Sequence, residues 1–146
     1  MARPNILLIL TDQQSGGALS VAGNPDLQTP AMDGLAAEGV LFDRAYCPQP
    51  LCTPSRGSLF SGLMPHQCGT PRNGTAISPE LRPEELGRLL NTAGYSCAYG
   101  GKWHLPQIAM PPDNDHGSEA IAGFDDNLLA EACTAFLRRP TTRCPF

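Results

Sequence analysis

The sequence predicts an α/β fold with a mainly parallel sheet flanked by helices. Three observations carry that prediction. Asn5 to Thr11 is a continuous apolar run without polar alternation, strand-like and helix-like segments take turns along the chain, and glycine or proline marks most of the changes. With 146 residues, 41% of them hydrophobic, the chain has material for one globular domain with a modest core.

The first element is the run itself, read as a strand buried on both faces and ending in the polar Asp12-Gln13-Gln14. Asp12 then lies at the carboxyl end of a strand, the edge beyond which open α/β sheets bind their ligands. Thr29 is the expected N-cap of a helix over Ala31 to Glu38, with Pro30 at its first position and Gly39 closing it; Met32, Leu35 and Ala36 form its inner face. Val40 to Tyr46 reads as a second strand, feeding a loop from Cys47 to Leu51 that delivers Cys52. A helix is expected from near Pro54 to about Ser61. A longer one, Glu84 to Ala93, turns Leu86, Leu89 and Leu90 inward and stops at Gly94. Tyr95 to Tyr99 is a third short strand, the stretch rich in Pro, Asp and Asn from Pro106 to Ser118 is a loop, and Leu128 to Arg138 is a last amphipathic helix before Pro140.

Composition removes several functional classes. The net charge is -4 and no run of Lys or Arg occurs, so neither a nucleic acid nor an anionic membrane is an expected partner, and a small ligand is. Ile6 to Leu10 is far shorter than the ~20 residues that span a bilayer and lacks the flanks of a signal peptide, which makes a cytoplasmic location the expectation. Six cysteines occur without a C-x-x-C pair, against a structural zinc site. In a chain without an export signal they read as reduced thiols, mostly small buried hydrophobes, with Cys52 as the exception.

That exception rests on Cys52-Thr53-Pro54-Ser55-Arg56, followed by Gly57-Ser58-Leu59-Phe60-Ser61-Gly62. The segment resembles the sulfatase signature C-x-P-S-R. Its neighbours resemble the same family in the same order: Pro4-Asn5-Ile6 with Thr11-Asp12-Gln13, Thr29-Pro30 through Phe42, Gly62-Leu63-Met64-Pro65-His66, Asn73-Gly74, Gly101-Lys102-Trp103-His104-Leu105, and Gly123-Phe124-Asp125. The resemblance implies a partial alkaline-phosphatase-like sandwich, with residues 1–146 as the N-terminal portion of a sulfatase catalytic domain, cut short of its full length.

It also implies a chemistry. In the family a formylglycine-generating enzyme oxidises the signature cysteine to formylglycine (3-oxoalanine), whose hydrated aldehyde is the nucleophile. One hydroxyl attacks sulfur and displaces the alcohol; deprotonation of the other then expels sulfate and restores the aldehyde. A sulfate monoester is an anion, so the site must gather positive charge before a nucleophile can approach. By resemblance, Asp12, Gln13 and the residue at Cys52 hold a divalent cation, usually calcium, a hard ion suited to oxygen donors. Gln13 departs from the Asp found at this place in many members and resembles the branch with choline sulfatases and phosphonate monoester hydrolases. Arg56, one helical turn beyond Cys52, can reach back toward the formylglycine hydroxyls, aided by the helix N-terminus. Lys102 and His104, alternating on an extended segment, bind sulfate, with His104 able to donate a proton, and Asn73 contacts the transferred group.

Other polar residues have plainer readings. His66 and His116 are expected to be solvated loop histidines. Asp115-His116-Gly117 is not the family's later metal pair, because it falls between Gly101-Lys102-Trp103-His104 and Gly123-Phe124-Asp125 and no strand precedes it. The expected function is sulfuric ester hydrolysis of a small-molecule or saccharide sulfate ester. Lys102 and His104 favour the sulfate ester; two alternatives stand beside it, a phosphonate monoester or phosphodiester hydrolase of the same superfamily, which Gln13 keeps open, and an inactive truncated fragment.

Overall fold

In a computed structural model the described residues are 3–105 and 119–121. They divide into two compact units, one made of Leu7–Cys47 and the other of Met1–Ile6 with Pro48–Phe146. No described helix is long and apolar enough to cross a membrane.

The unit of residues 7–47 contains a 3-10 turn, Ser20–Ala22, and helix α1, Pro30–Glu38. Pro30 starts the helix because its fixed φ suits a first turn in which a missing N–H costs nothing. Thr29 occupies the N-cap, and its carbonyl accepts the Asp33 N–H at 2.9 Å, but its hydroxyl does not cap the helix. That hydroxyl belongs to a side-chain cluster instead. Ser20 Oγ donates to Asp33 Oδ2 at 2.6 Å, Thr29 Oγ1 to Asp33 Oδ1 at 3.0 Å, and the Val21 N–H to Asp33 Oδ1 at 3.0 Å. The Ser20 bond is the largest cause holding the Asp33 carboxyl below its ordinary pKa, with the Thr29 and Val21 bonds adding to it against desolvation.

Two strand expectations fail in this part of the chain. Asn5 to Thr11 and Val40 to Tyr46 form no ladder among the described residues, and Ile6 to Leu10 are 52–74% exposed. A strand buried on both faces needs a hydrogen-bonded neighbour to satisfy its main chain and layers to cover it; the described residues supply neither. The same lack exposes α1, where Leu35, expected inside, is 68% exposed.

The other unit holds the core. Helix α2, Cys52–Ser61, packs on the short helix α3, Pro65–Cys68; a 3-10 segment, Pro79–Glu84, leads to α4, Leu86–Thr92; and strand β1, Ala98–Gly100, pairs in parallel with β2, Glu119–Ile121. The parallel pairing agrees with the expected sheet type, although β1 begins three residues later than the expected Tyr95. Leu89 faces solvent rather than the interior. Ile77, Leu105 and Trp103 form the buried centre, with Phe60, Leu81 and Tyr99 against it. Phe60, Tyr99 and Trp103 make an aromatic trio: Tyr99 meets Trp103 edge-on at 4.9 Å between ring centroids, and Phe60 lies 4.6 Å from Trp103.

Of the cysteines within the described residues only Cys68 is fully buried; Cys52 and Cys97 are partly buried and Cys47 is exposed. The expectation that most would be core hydrophobes therefore does not hold among them. The loop from Pro106 to Ser118 with His116, the segment Gly123-Phe124-Asp125 and the helix over Leu128 to Arg138 lie outside the described residues.

Candidate active site

The site is built on the start of α2. Leu51 is the extended N-cap and Cys52 the first helical residue, two positions earlier than expected from Pro54. Pro54 is tolerated because it falls in the first turn, where its missing N–H has no carbonyl to serve. The early start has a distant cause: Asn73 Oδ1 accepts the Thr53 N–H at 3.0 Å, satisfying one of the orphan donors of the helix end from outside the helix. Gly62, with φ 71, ends α2, and its N–H returns to the Ser58 carbonyl.

The segment after β1 comes back over this helix start. Lys102 Nζ lies 3.4 Å from Cys52 Sγ. Thr53, fully buried, donates its hydroxyl to the His104 carbonyl at 2.7 Å. His104 has φ 54, so the regular extended alternation expected from Lys102 to His104 is broken at His104, and its side chain is exposed. A non-glycine residue in the left-handed region costs roughly 1–3 kcal/mol and persists only where the surroundings over-determine it; the Thr53 hydroxyl is one such constraint.

Arg56 is 6% exposed. Its Nη1 donates to the Lys102 carbonyl at 2.5 Å and to Tyr99 Oη at 3.2 Å. Tyr99 Oη in turn donates to that same carbonyl at 2.5 Å. Burial pushes the Tyr99 phenol above its ordinary pKa, opposed by the Arg56 charge. Helix and strand end are thus joined through Arg56, Tyr99 and the Lys102 carbonyl, while the Lys102 ammonium lies beside Cys52 Sγ.

Close approach between α2 and the chain after α3 depends on Gly57. A Cβ there would lie 2.3 Å from Thr70 Oγ1 and 2.9 Å from Thr70 Cβ. Thr70 is itself fully buried and within 3.0 Å of Cys68 Sγ.

Of the residues singled out in the sequence, this unit brings together Cys52, Arg56, Lys102, Asn73 and the main chain of His104. Asp12 and Gln13 belong to the unit of residues 7–47, where both are exposed and Gln13 takes φ 57. Their carboxylate and amide oxygens are hard donors of the kind calcium takes, but two residues are only part of its usual shell of about six to eight oxygens. Among the described residues no three His, Cys, Asp or Glu side chains converge on a point that could hold a metal. His66 is exposed, on α3 rather than in a loop. Thr53 and Tyr99 were not legible as site residues, since each acts on a partner more than 40 positions away. The only local hint was the place of Thr53 inside the signature.

A cysteine opens helix α2, a lysine ammonium lies beside its sulfur, and an arginine of the same helix ties down the lysine's main chain. The chain belongs to the sulfatase family: the family model described as Sulfatase matches residues 4–132. It is similar to an ulvan-active sulfatase of Formosa agariphila, 45% identical over 70% of this chain and 20% of the relative, and to the human N-acetylgalactosamine-6-sulfatase, 42% identical over 70% of this chain and 22% of the relative. A solved structure of a protein in complex with its substrate D-glucosamine-2-N,6-O-disulfate matches with a TM-score of 0.68 and 37% identity, covering 73% of this chain and 21% of that one. The alkaline-phosphatase-like α/β class expected from the sequence is the fold they share. The chain spans about a fifth of the length of the curated relatives it matches.

Proposed function

We propose that the whole protein to which these residues belong is a sulfuric ester hydrolase that cleaves a sulfate monoester through formylglycine made from Cys52. The carrying observation is the Lys102 ammonium 3.4 Å from Cys52 Sγ at the first position of α2. Charge develops on the sulfuryl oxygens and on the leaving alcohol, and a fixed cation beside the reacting atom stabilises it without reorganisation. The aldehyde supplies a nucleophile that can be regenerated. Lys102 supplies positive charge, Arg56 holds the main chain that carries Lys102, Thr53 holds that of His104, and Asn73 fixes the helix end. His104, exposed beside the same helix start, is the candidate for donating a proton to the leaving alcohol.

By resemblance, Asp12 and Gln13 are the described candidates for holding a divalent cation such as calcium. The names of similar proteins favour a saccharide sulfate as substrate. Gln13 keeps a second reading in play: with one negative charge fewer than an Asp pair, the site also suits a phosphonate monoester or phosphodiester.

The test is peptide mass spectrometry of the full-length protein co-expressed with a formylglycine-generating enzyme, followed by turnover of an aryl sulfate and an aryl phosphodiester. The expected result is the mass loss of a thiol becoming an aldehyde on the Cys52 peptide, and faster turnover of the sulfate. Lys102→Ala should lower kcat by about 10²–10³-fold, the usual effect of losing one fixed charge-stabilising group. A Cys52 that remains a thiol while a control sulfatase is converted would overturn the reading.

A further inference from the structure

Tyr99 takes no part in the sulfatase signature, yet its phenolic oxygen sits at the junction on which the Lys102 side chain depends. Its ring is fixed by Trp103 and Phe60, at 4.9 and 5.9 Å between centroids. Its oxygen accepts from Arg56 Nη1 at 3.2 Å and donates to the Lys102 carbonyl at 2.5 Å, and Arg56 Nη1 closes the triangle on that carbonyl at 2.5 Å. Lysine carries its charge on a flexible four-carbon stem, so where the ammonium spends its time depends on where the main chain is held. Gly101, with φ 94, offers little resistance to a shift of that main chain. Two hydrogen bonds on one carbonyl supply the missing constraint.

We propose that Tyr99 is a positioning residue for the reaction at residue 52: by bridging Arg56 and the Lys102 main chain, its hydroxyl keeps the Lys102 ammonium beside the reacting atom. The proposal rests on the sulfatase reading for its catalytic consequence, but its geometric content does not. Burial favours the protonated phenol, so the donor to the Lys102 carbonyl persists well into alkaline conditions.

Tyr99→Phe keeps the ring in the aromatic trio and removes only the oxygen, and retained near-ultraviolet circular dichroism checks that the trio survives. Two measurements on the full-length protein then separate the two layers. In the unmodified thiol form, the ratio of Cys52 alkylation rates with iodoacetate and with iodoacetamide, read on the Cys52 peptide, reports the positive charge beside the sulfur. One unit charge at contact distance in a water-like medium is worth roughly a fivefold rate difference, so Tyr99→Phe should lower the ratio toward the Lys102→Ala value. In the formylglycine form, Tyr99→Phe should lower aryl sulfate kcat by about tenfold, as one lost hydrogen bond allows, with KM nearly unchanged. In a Lys102→Ala background it should have almost no further effect. An unchanged alkylation ratio, or a tenfold loss that persists without Lys102, would overturn the proposal. A lowered ratio in a protein that turns over no sulfate ester would instead leave the positioning geometry standing and sink the sulfatase reading.

Discussion

Helices α1 and α2 look alike in sequence terms. Each is about the same length, each has a proline in its first turn, and each is followed by a glycine. Yet α2 buries Thr53, Pro54, Arg56, Gly57 and Ser58, whereas α1 buries nothing. The buried face of α2 has helical spacing but is not apolar. Apart from Pro54 it is made of polar residues and a glycine, and other segments hydrogen-bond to it or press on it: Asn73 and the Lys102–His104 segment at its start, with Thr70 against Gly57. On α1 Leu35 points at solvent while Met32 and Ala36 are only half-buried, and the hydrogen bonds at its start come from one aspartate and two hydroxyls. Burial in this molecule follows the partners that arrive from elsewhere in the chain, and hydrophobic pattern alone does not summon them.

The sharpest way to test that contrast is to truncate one leucine in each region. Leu105 is 1% exposed and packed with Ile77 and Trp103, so Leu105→Ala should destabilise the chain by about 2–5 kcal/mol in urea unfolding. Leu35 is 68% exposed, and Leu35→Ala should stay within about 0.5 kcal/mol. Equal costs would break the comparison, because α1 would then be packed as well as α2.

Gly57→Ala probes the polar packing of α2 directly. Alanine is the better helix former, so an exposed glycine would gain by the change, by up to about 1 kcal/mol. Here the new methyl meets Thr70 at distances no side chain tolerates, and the expected outcome is a loss of about 1–3 kcal/mol from forced displacement. A Thr70→Ser partner substitution, which removes the methyl but leaves the hydroxyl, should recover part of that loss. A gain in stability from Gly57→Ala would show that α2 and the segment at Thr70 are not in contact.

The parts of the structure that were legible in the sequence are those settled within a few residues. Pro30 and Gly39 bound α1, Gly62 stops α2, and Cys52 with Arg56 and Lys102 could be singled out because a family-wide spacing marks them. The strands over Asn5 to Thr11 and Val40 to Tyr46 were not safely legible, since an apolar run states a need for neighbours and not their presence. The early start of α2 was hidden because its cap is Asn73, more than one helix away. Tyr99 was hidden for a second reason besides the distance to Arg56. Its ring belongs to the core and only its oxygen belongs to the site, and no spacing rule reports a side chain divided in that way.

The smallest expected effect falls on the other side of the comparison, at Asp33. Its carboxylate accepts from the Ser20 hydroxyl, the Thr29 hydroxyl and the Val21 N–H, and sits in the first turn of α1 where the helix dipole favours negative charge. These bonds hold its folded pKa below the value of about 3.9 expected of an unfolded aspartate. A depressed acid stabilises the fold wherever the unfolded state would bind more protons, so the contribution is complete above about pH 4 and is lost as pH falls through the folded pKa. Carboxyl chemical shifts followed against pH should place Asp33 below the ordinary aspartate value, and the amide signals of Ser20 and Val21 should move with it. Asp33→Asn should remove that shared titration while leaving the amides of Cys52 and Lys102 unmoved. If Asp33 titrates like an exposed carboxylate, the hydroxyl cluster does not hold α1, and residues 7–47 have lost the local device that gives them order in place of a core.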